Sequence, residues 1–241
     1  DISDFIWSYG YMLMATGDVK WADKMESAVY NAALGAINKD FKALQYFSSP
    51  NQLLATEKSS MAPYGEEGLS RQAYRPGFDE CCSGNVHRMF PNYISRMWMN
   101  GDEHEIVAAL YGPSEYRTEI NGTKVCITED TSYPFSGKIT FRFALDGAPV
   151  RIPFTMRIPS WVENAKLTVN AEQPKEYHAG GFSTIERRFK DGDVVELDID
   201  MKPRAEKRTD AGINVYMGPL LYSVDIDENV EIIKDQFKTS V

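Results

Sequence analysis

The spacing of apolar residues changes period near residue 101. Before that point they recur every three or four positions, the helical period; after it they alternate, the strand period. The run "SDFIWSYGYMLMATG" predicts an amphipathic helix with Ser3 or Asp4 at its start. "TGD" at 16–18 predicts a stop and restart, with Gly17 in a left-handed C-terminal position and Asp18 as the next N-cap. "VKWADKMESAVYNAALGAI" predicts a second helix whose apolar face is Trp21, Met25, Ala28, Val29 and Ala32. The short connection makes the two an antiparallel helical hairpin.

Residues 40–80 carry less pattern. "ALQYFSSP" reads as a short strand. The following stretch, punctuated by Pro63, Gly65, Gly68, Pro76 and Gly77, reads as a long irregular loop, which in a compact protein is usually functional or mobile. A helix is then expected from about Gly84–Val86 to about Met99, with Ser83 and Asn85 as capping types. Its apolar stripe is Val86, Met89, Phe90, Tyr93, Ile94, Met97 and Trp98, and Pro91 should kink it or mark its first turn.

From about residue 104 the strand-like runs "EIVAALYG", "SEYRTEI", "TKVCITEDTSY", "KITFRFAL", "VRIPFTMRIP", "KLTVN", "FSTIERRF", "DVVELDID" and "INVYMGPLLYSVDI" follow one another, separated by "NG", "DG", "GG" and "DGD" turn signals. That spacing predicts an antiparallel β-sandwich. The expected organisation is therefore α+β and multidomain, with helices over 1–102 and a β-sandwich over 103–241. So few helices can hardly bury all their faces alone, and "DISDFIWSYG" has neither an initiator Met nor a signal-peptide pattern, so the helical part reads as the end of a larger helical domain, truncated at its N-terminus.

Composition narrows the partners. The formal net charge is -9, the pI is near 5.0, and the basic residues are scattered, which argues against nucleic acid. No apolar stretch is long enough for a membrane span. Aromatic residues make up 12% of the chain, a richness common in proteins that handle sugars.

The chemistry concentrates in "GFDECCSGNVHRMFPNY", residues 77–93. Three cysteines make a poor disulfide framework, and adjacent cysteines rarely bridge each other. Cys126 lies in an alternating run and reads as a small buried thiol. Cys81 and Cys82 are placed just before a helix start, where the dipole and unpaired N–H groups favour anions and lower thiol pKa values. Thiolates also bind zinc, and Asp79, Glu80 and His87 are the nearby candidate ligands, whereas His104 and His178 are distant in sequence. No CxxC spacing is present. On the residues alone two readings stand side by side: a reactive or metal-bound thiolate pair, and two small side chains packing a helix start.

"CCSGNVHRMFPNYISRMWM" resembles the double-cysteine segment of glycoside hydrolase family 127, the β-L-arabinofuranosidase group. "WSYGYMLMATGDVKWADKMESAVYNAALGAI" is similar to that family's late barrel helices, "FTMRIPSWVENAKLTVN" to its sandwich strand with the Arg-Ile-Pro-Ser-Trp run, and "GDVVELDIDM" and "VYMGPLLYSVD" to its closing strands. The resemblance implies the terminal helices of an (α/α)6 barrel followed by an antiparallel β-sandwich, and a carbohydrate substrate. It implies a zinc ion held by one glutamate and three cysteines, with Cys81 and Cys82 as two of those ligands and Cys81 also the nucleophile of a retaining mechanism. The remaining ligands, a Glu-x-Cys pair, and the acid/base glutamate are expected upstream of Asp1, so the chain by itself is expected to be inactive and to hold zinc weakly or not at all. A metal keeps sulfur deprotonated at neutral pH, so a thiolate can take the place of the usual carboxylate nucleophile. The alternative expectation is a non-catalytic carbohydrate-binding or structural β-sandwich module.

Several neighbours carry no role in the resemblance. Glu80 reads as a solvated or arginine-paired acid, partnered by Arg75 or Arg88, or as a group touching sugar or metal. His87 reads as a structural histidine or a pocket residue. Trp7, Tyr9 and Trp21 read as core from their helical spacing, and Trp161 as a sandwich packing residue. Arg71, Tyr74 and Arg75 lie in the loop before the cysteines.

Overall fold

The computed structural model describes residues 2–37, 39, 41, 43–44, 75–76, 81–178, 180–207, 212–225 and 227. Helix α1, Ile2–Thr16, buries Ser3, Ile6, Gly10 and Leu13, the expected steps of three and four. It begins one residue before Ser3, so Ser3 and Asp4 sit inside its first turn rather than capping it. Gly17 ends it at φ +62°, with its N–H on the Leu13 carbonyl at 2.9 Å. Asp18 then caps α2, Val19–Ser27, accepting from the Lys20 N–H at 3.0 Å.

Helix α2 runs directly into a π-helical segment, Ala28–Ala33. A π turn holds more residues than an α turn and rotates the face that follows. The buried positions are therefore Ala22, Met25, Glu26, Val29 and Ala33, while Ala32, expected inside, is exposed.

Helix α3 is Cys81–Ile94, displaced from the expected Gly84–Met99 at both ends. Nothing in Cys81–Ser83 opposes helix, and Gly84 is tolerated in the first turn. At the other end the N–H groups of Arg96 and Met97 bond to carbonyls three residues back, a tightened terminal turn. Trp98 and Met99 then leave for a strand, where the Trp98 ring packs on Tyr116, Phe141 and Phe154. Pro91 lies well inside α3, past its first turn.

The strands are β1 Ala43–Leu44, β2 Arg75–Pro76, β3 Trp98–Asn100, β4 Ile106–Ala108, β5 Ser114–Ile120, β6 Thr123–Thr131, β7 Lys138–Asp146, β8 Val150–Ile158, β9 Asn164–Val169, β10 Lys175–His178, β11 Gly181–Phe189, β12 Val194–Ile199, β13 Pro203–Lys207, β14 Ile213–Met217 and β15 Leu220–Tyr222. One sheet has the order β10-β9-β12-β7-β6-β5, a second β11-β8-β4-β3, and a third β13-β14-β15, while β1 pairs with β2 alone. Of the expected long loop, only Arg75–Pro76 falls within the described residues.

The expected hairpin at "NG" is present. Ile120 faces Thr123 across Asn121 and Gly122, at φ +50° and +78°, the left-handed pair a two-residue turn needs. One pairing departs from the antiparallel expectation: β4 runs parallel to β8. The tight β3–β4 hairpin fixes the direction of β4, and β8 returns beside it only after β5–β7 have been laid into the other sheet.

The first two sheets bury a common core. Ile127, Phe141, Phe143 and Leu197 from one meet Ile152, Phe154, Met156 and Phe189 from the other. The Phe143 and Phe189 rings stack at 4.1 Å, and Phe141 meets Phe154 edge-on at 5.0 Å. Strand β6 alternates as a half-solvated strand does, but β8 is buried at almost every position. It is an inner strand of its sheet, and its Arg157 is held by residues of α2. The helical core of Ile6, Leu13, Met25, Val29, Met89 and Tyr93 takes in Ala109 and Leu110 from the segment after β4.

Candidate functional site

The chain places Cys81 and Cys82 as the first two residues of α3 rather than ahead of it. They stand where a helix leaves its first N–H groups unpaired and its dipole is positive. Helix α1 runs in the same direction as α3. Arg88 of α3 donates to Ser3 Oγ at 3.4 Å and Asp4 Oδ1 at 3.2 Å, and further along Arg96 packs against Gly10. At 1.5 Å per residue Cys81 lies about 10 Å before Arg88, whereas Ile2 lies only about 3 Å before Asp4. The cysteine turn thus lies beyond the first described residue of α1, at the same end of the two helices. Arg88 is also held by Asn85 Oδ1 at 2.5 Å.

The other expected residues fall as follows. His87 is exposed on α3. Asp79, Glu80, Arg71 and Tyr74, and the side chains of Cys81, Cys82 and Arg75, lie outside the described residues. His104 is exposed in the turn between β3 and β4, and His178 is on the edge strand β10, so neither belongs to the helices that carry the cysteines. Among the described residues no group of three or more His, Cys, Asp or Glu is arranged to hold a metal. Tyr9 and Trp21 stack on each other at 5.7 Å and are partly buried, but Trp7, expected in the core, is 47% exposed. Trp161 packs partly buried against the sheet core.

Cys126 is half-exposed on β6 rather than buried. Its side chain is on the outer face of the sheet beside Glu115, and desolvation, with that carboxylate adding to it, pushes the thiol up. It is not a thiolate candidate.

The polar group that sequence reasoning missed is Arg157, the arginine of the "RIPSW" run. It is fully buried and pairs with Asp23 at 2.6 Å and with the buried Glu26. Its Nε donates to the Ala109 carbonyl at 2.7 Å and its guanidinium lies 5.4 Å from the Tyr111 ring centre. Asp23 also accepts from the Ser160 N–H, at 3.1 Å, and from the Ser160 hydroxyl. The acidic pair of α2 therefore clasps the Arg-Ile-Pro-Ser run of β8. Burial pushes Glu26 up to about 7, against the pull of Arg157. A signal was present: an arginine in a strand otherwise apolar enough for the centre of a core, and two acids at i and i+3 on one helix. With no exposed surface, Glu26 is a docking group and not an acid for substrate.

A hydroxyl chain continues toward α3. The hydroxyls of Tyr93 of α3 and Tyr30 of the π segment lie 3.0 Å apart and each 3.2 Å from the Tyr111 carbonyl, so the two protons are shared among these three oxygens, and Tyr111 donates to the Arg157 carbonyl. A second buried acid, Glu129 on β6, accepts from the Gly112 N–H at 3.0 Å and the Ser114 hydroxyl at 3.1 Å. Desolvation raises it to about 8.

Two family models match the chain. Residues 4–95 match the family model described as the GH127 catalytic domain of β-L-arabinofuranosidase, and residues 105–201 the model described as its GH127 middle domain. Among solved structures, the chain is similar to a GH127 β-L-arabinofuranosidase from Geobacillus stearothermophilus T6, with 21% identity and a TM-score of 0.74 over 91% of this chain. It is similar to a protein described as a glycoside hydrolase, with 26% identity and a TM-score of 0.66 over 87% of the chain. It is also similar to the GH127 β-arabinofuranosidase BT3674, with 22% identity and a TM-score of 0.70 over 90%. In each case it spans 35% of the length of the other protein. Among curated proteins none matches.

Proposed function

The chain belongs to glycoside hydrolase family 127, and from that premise we propose that it contributes the nucleophile half of a retaining glycoside hydrolase acting on β-L-arabinofuranosides or related plant-glycan sugars. On this reading residues 1–102 are the last helices of an (α/α)6 barrel and residues 103–241 a β-sandwich. The observation that carries the proposal is the position of Cys81 and Cys82 as the first two residues of α3, inside the segment matched by the catalytic-domain model.

The donor chemistry fits zinc: two thiols are soft ligands that zinc holds as thiolates, and the described residues add no further cluster. Cys81 and Cys82 would hold the ion together with ligands from elsewhere in the parent protein. Bound zinc would supply a permanently deprotonated sulfur at neutral pH. The Cys81 sulfur attacks the anomeric carbon as the glycosidic C–O bond breaks, and the sugar is left on sulfur. A carboxylic acid of the parent protonates the departing oxygen, then removes a proton from the water that displaces the sulfur and restores the starting configuration. The unpaired N–H groups of the first turn of α3 favour the thiolate as nucleophile and as leaving group.

The test is turnover of a β-L-arabinofuranoside by the parent protein. Cys81→Ser is expected to abolish it, and Cys126→Ser to leave it unchanged. Retained activity in Cys81→Ser removes the nucleophile assignment.

A further inference from the structure

We propose that the cleft between the C-terminal ends of α1 and α3 and the β3–β4 hairpin binds a neutral sugar, a pentose or short oligosaccharide, at a site separate from Cys81. The cleft has a volume of about 600 Å³, within the range of small-molecule sites. Met99 and Phe182 line it with apolar surface, and Arg96, Asn100, Glu105 and Thr155 bring polar groups to it.

Those polar groups are held in place. Arg96 lies across α1 at Gly10, where a Cβ would meet its side chain at 3.2 Å, and its guanidinium is 5.1 Å from the Tyr11 ring centre. Its Nη1 donates to the Ser95 carbonyl at 3.3 Å and hydroxyl at 3.1 Å. Its Nε is buried and has no acceptor among the described residues. Glu105 accepts from the Thr155 hydroxyl, which is itself 2.7 Å from the Thr184 hydroxyl, so the carboxylate is oriented. Asn100 Oδ1 accepts from the Tyr116 hydroxyl, which leaves its NH2 as a donor.

The charge pattern selects the ligand class. One fixed cation and one fixed anion line the same cleft, so neither a phosphate nor a cationic ligand is favoured over the other. Vicinal hydroxyls donate and accept at once, which matches a cleft lined by an arginine, an amide and a carboxylate. The C–H face of a sugar ring matches the apolar surface of Met99 and Phe182. Ser95 and Arg96 follow the end of α3, about 20 Å along the helix from Cys81. A sugar here would be held away from the thiol, as an accessory contact for a longer glycan.

The experiment titrates the 241-residue chain with L-arabinose and with a short arabino-oligosaccharide, reading calorimetry and tryptophan fluorescence. Saturable binding is expected, weakened tenfold or more by Arg96→Ala and by Glu105→Gln, and unchanged by Cys81→Ser. Asn100→Ala, at an exposed position, gives a second variant with little risk to folding, and circular dichroism checks each protein. No saturation at ~10 mM, where a millimolar site is filled, overturns the proposal. So does binding that survives the cleft variants or is lost in Cys81→Ser. Loss of turnover in the parent Cys81→Ser variant bears only on the nucleophile, so the two readings fail separately.

Discussion

The two-sheet unit closes on itself and the helices do not. In the sheets, large aromatic side chains such as Phe141, Phe143, Phe154 and Phe189 are almost wholly buried between the layers. In α1, by contrast, Phe5, Trp7, Tyr11, Met12 and Met14 remain exposed, as do Leu34, just after the π segment, and Ile94 of α3. The two regions also meet differently from how each is built: besides the apolar seam around Ala109 and Leu110, a buried arginine on β8 is clasped by two acids on α2. The sheets supply a self-sufficient base, and the helices that carry Cys81 depend on how they are fixed to it.

The largest effects should come from breaking that fixation and that base. Arg157→Met leaves Glu26 buried without its cation and is expected to cost about 3–5 kcal/mol in urea unfolding. Adding Glu26→Gln should recover part of the loss, because the stranded charge goes with it. Phe154→Ala opens a cavity between the sheets and should cost about 3–5 kcal/mol, whereas Met25→Ala in the helical core should cost about 2–5 kcal/mol. If the comparison holds, Phe154→Ala loosens both regions, while Met25→Ala leaves amide protection in β6–β8 intact under hydrogen exchange.

A smaller effect is written in the buried acids. Glu129 is raised from 4.5 to about 8, so the unfolded chain gives up this proton long before the native one does. Its contribution is fully present below about 4.5, and stability falls as pH rises from there to about 8, with a slope near 1.4 kcal/mol per unit for one proton. Glu26, raised to about 7, adds the same sign over the lower part of that window. Glu129→Gln should flatten the upper part of the dependence, measured by denaturant titration at several pH values. The smallest effect is at the uncovered face: Trp7→Ser should change the stability of the 241-residue chain by no more than about 0.5 kcal/mol.

Much of this architecture was legible in the alternation of apolar and polar residues. The Gly17–Asp18 junction, the Asn121–Gly122 hairpin and strands β5–β9, β11 and β12 follow from local rules that tertiary structure had no reason to override, whereas β10 and β13 were not expected and the run "INVYMGPLLYSVDI", expected as one strand, divides at Gly218–Pro219 into β14 and β15. The departures have physical causes. The π segment turned the face of the second helix, so Ala33 replaced Ala32 inside. Trp98 left the helical stripe because the sheet core offered its ring three aromatic neighbours. Arg157 and Glu26 were illegible one at a time, since a buried charge makes sense only with its partner, 131 residues away in the chain. The cysteines were visible as a pair, and the residue-level reading of their role rests on family membership together with the shared direction of α1 and α3.

The account turns on the cysteines at the head of α3, and zinc content of the parent protein tests it most directly. Cys126, on the outer face of the sheets, serves as the internal control. The account predicts one zinc per chain in the native protein and in Cys126→Ser, and loss of most of it in Cys81→Ser and Cys82→Ser. Full zinc occupancy in the Cys81→Ser, Cys82→Ser double variant would contradict it.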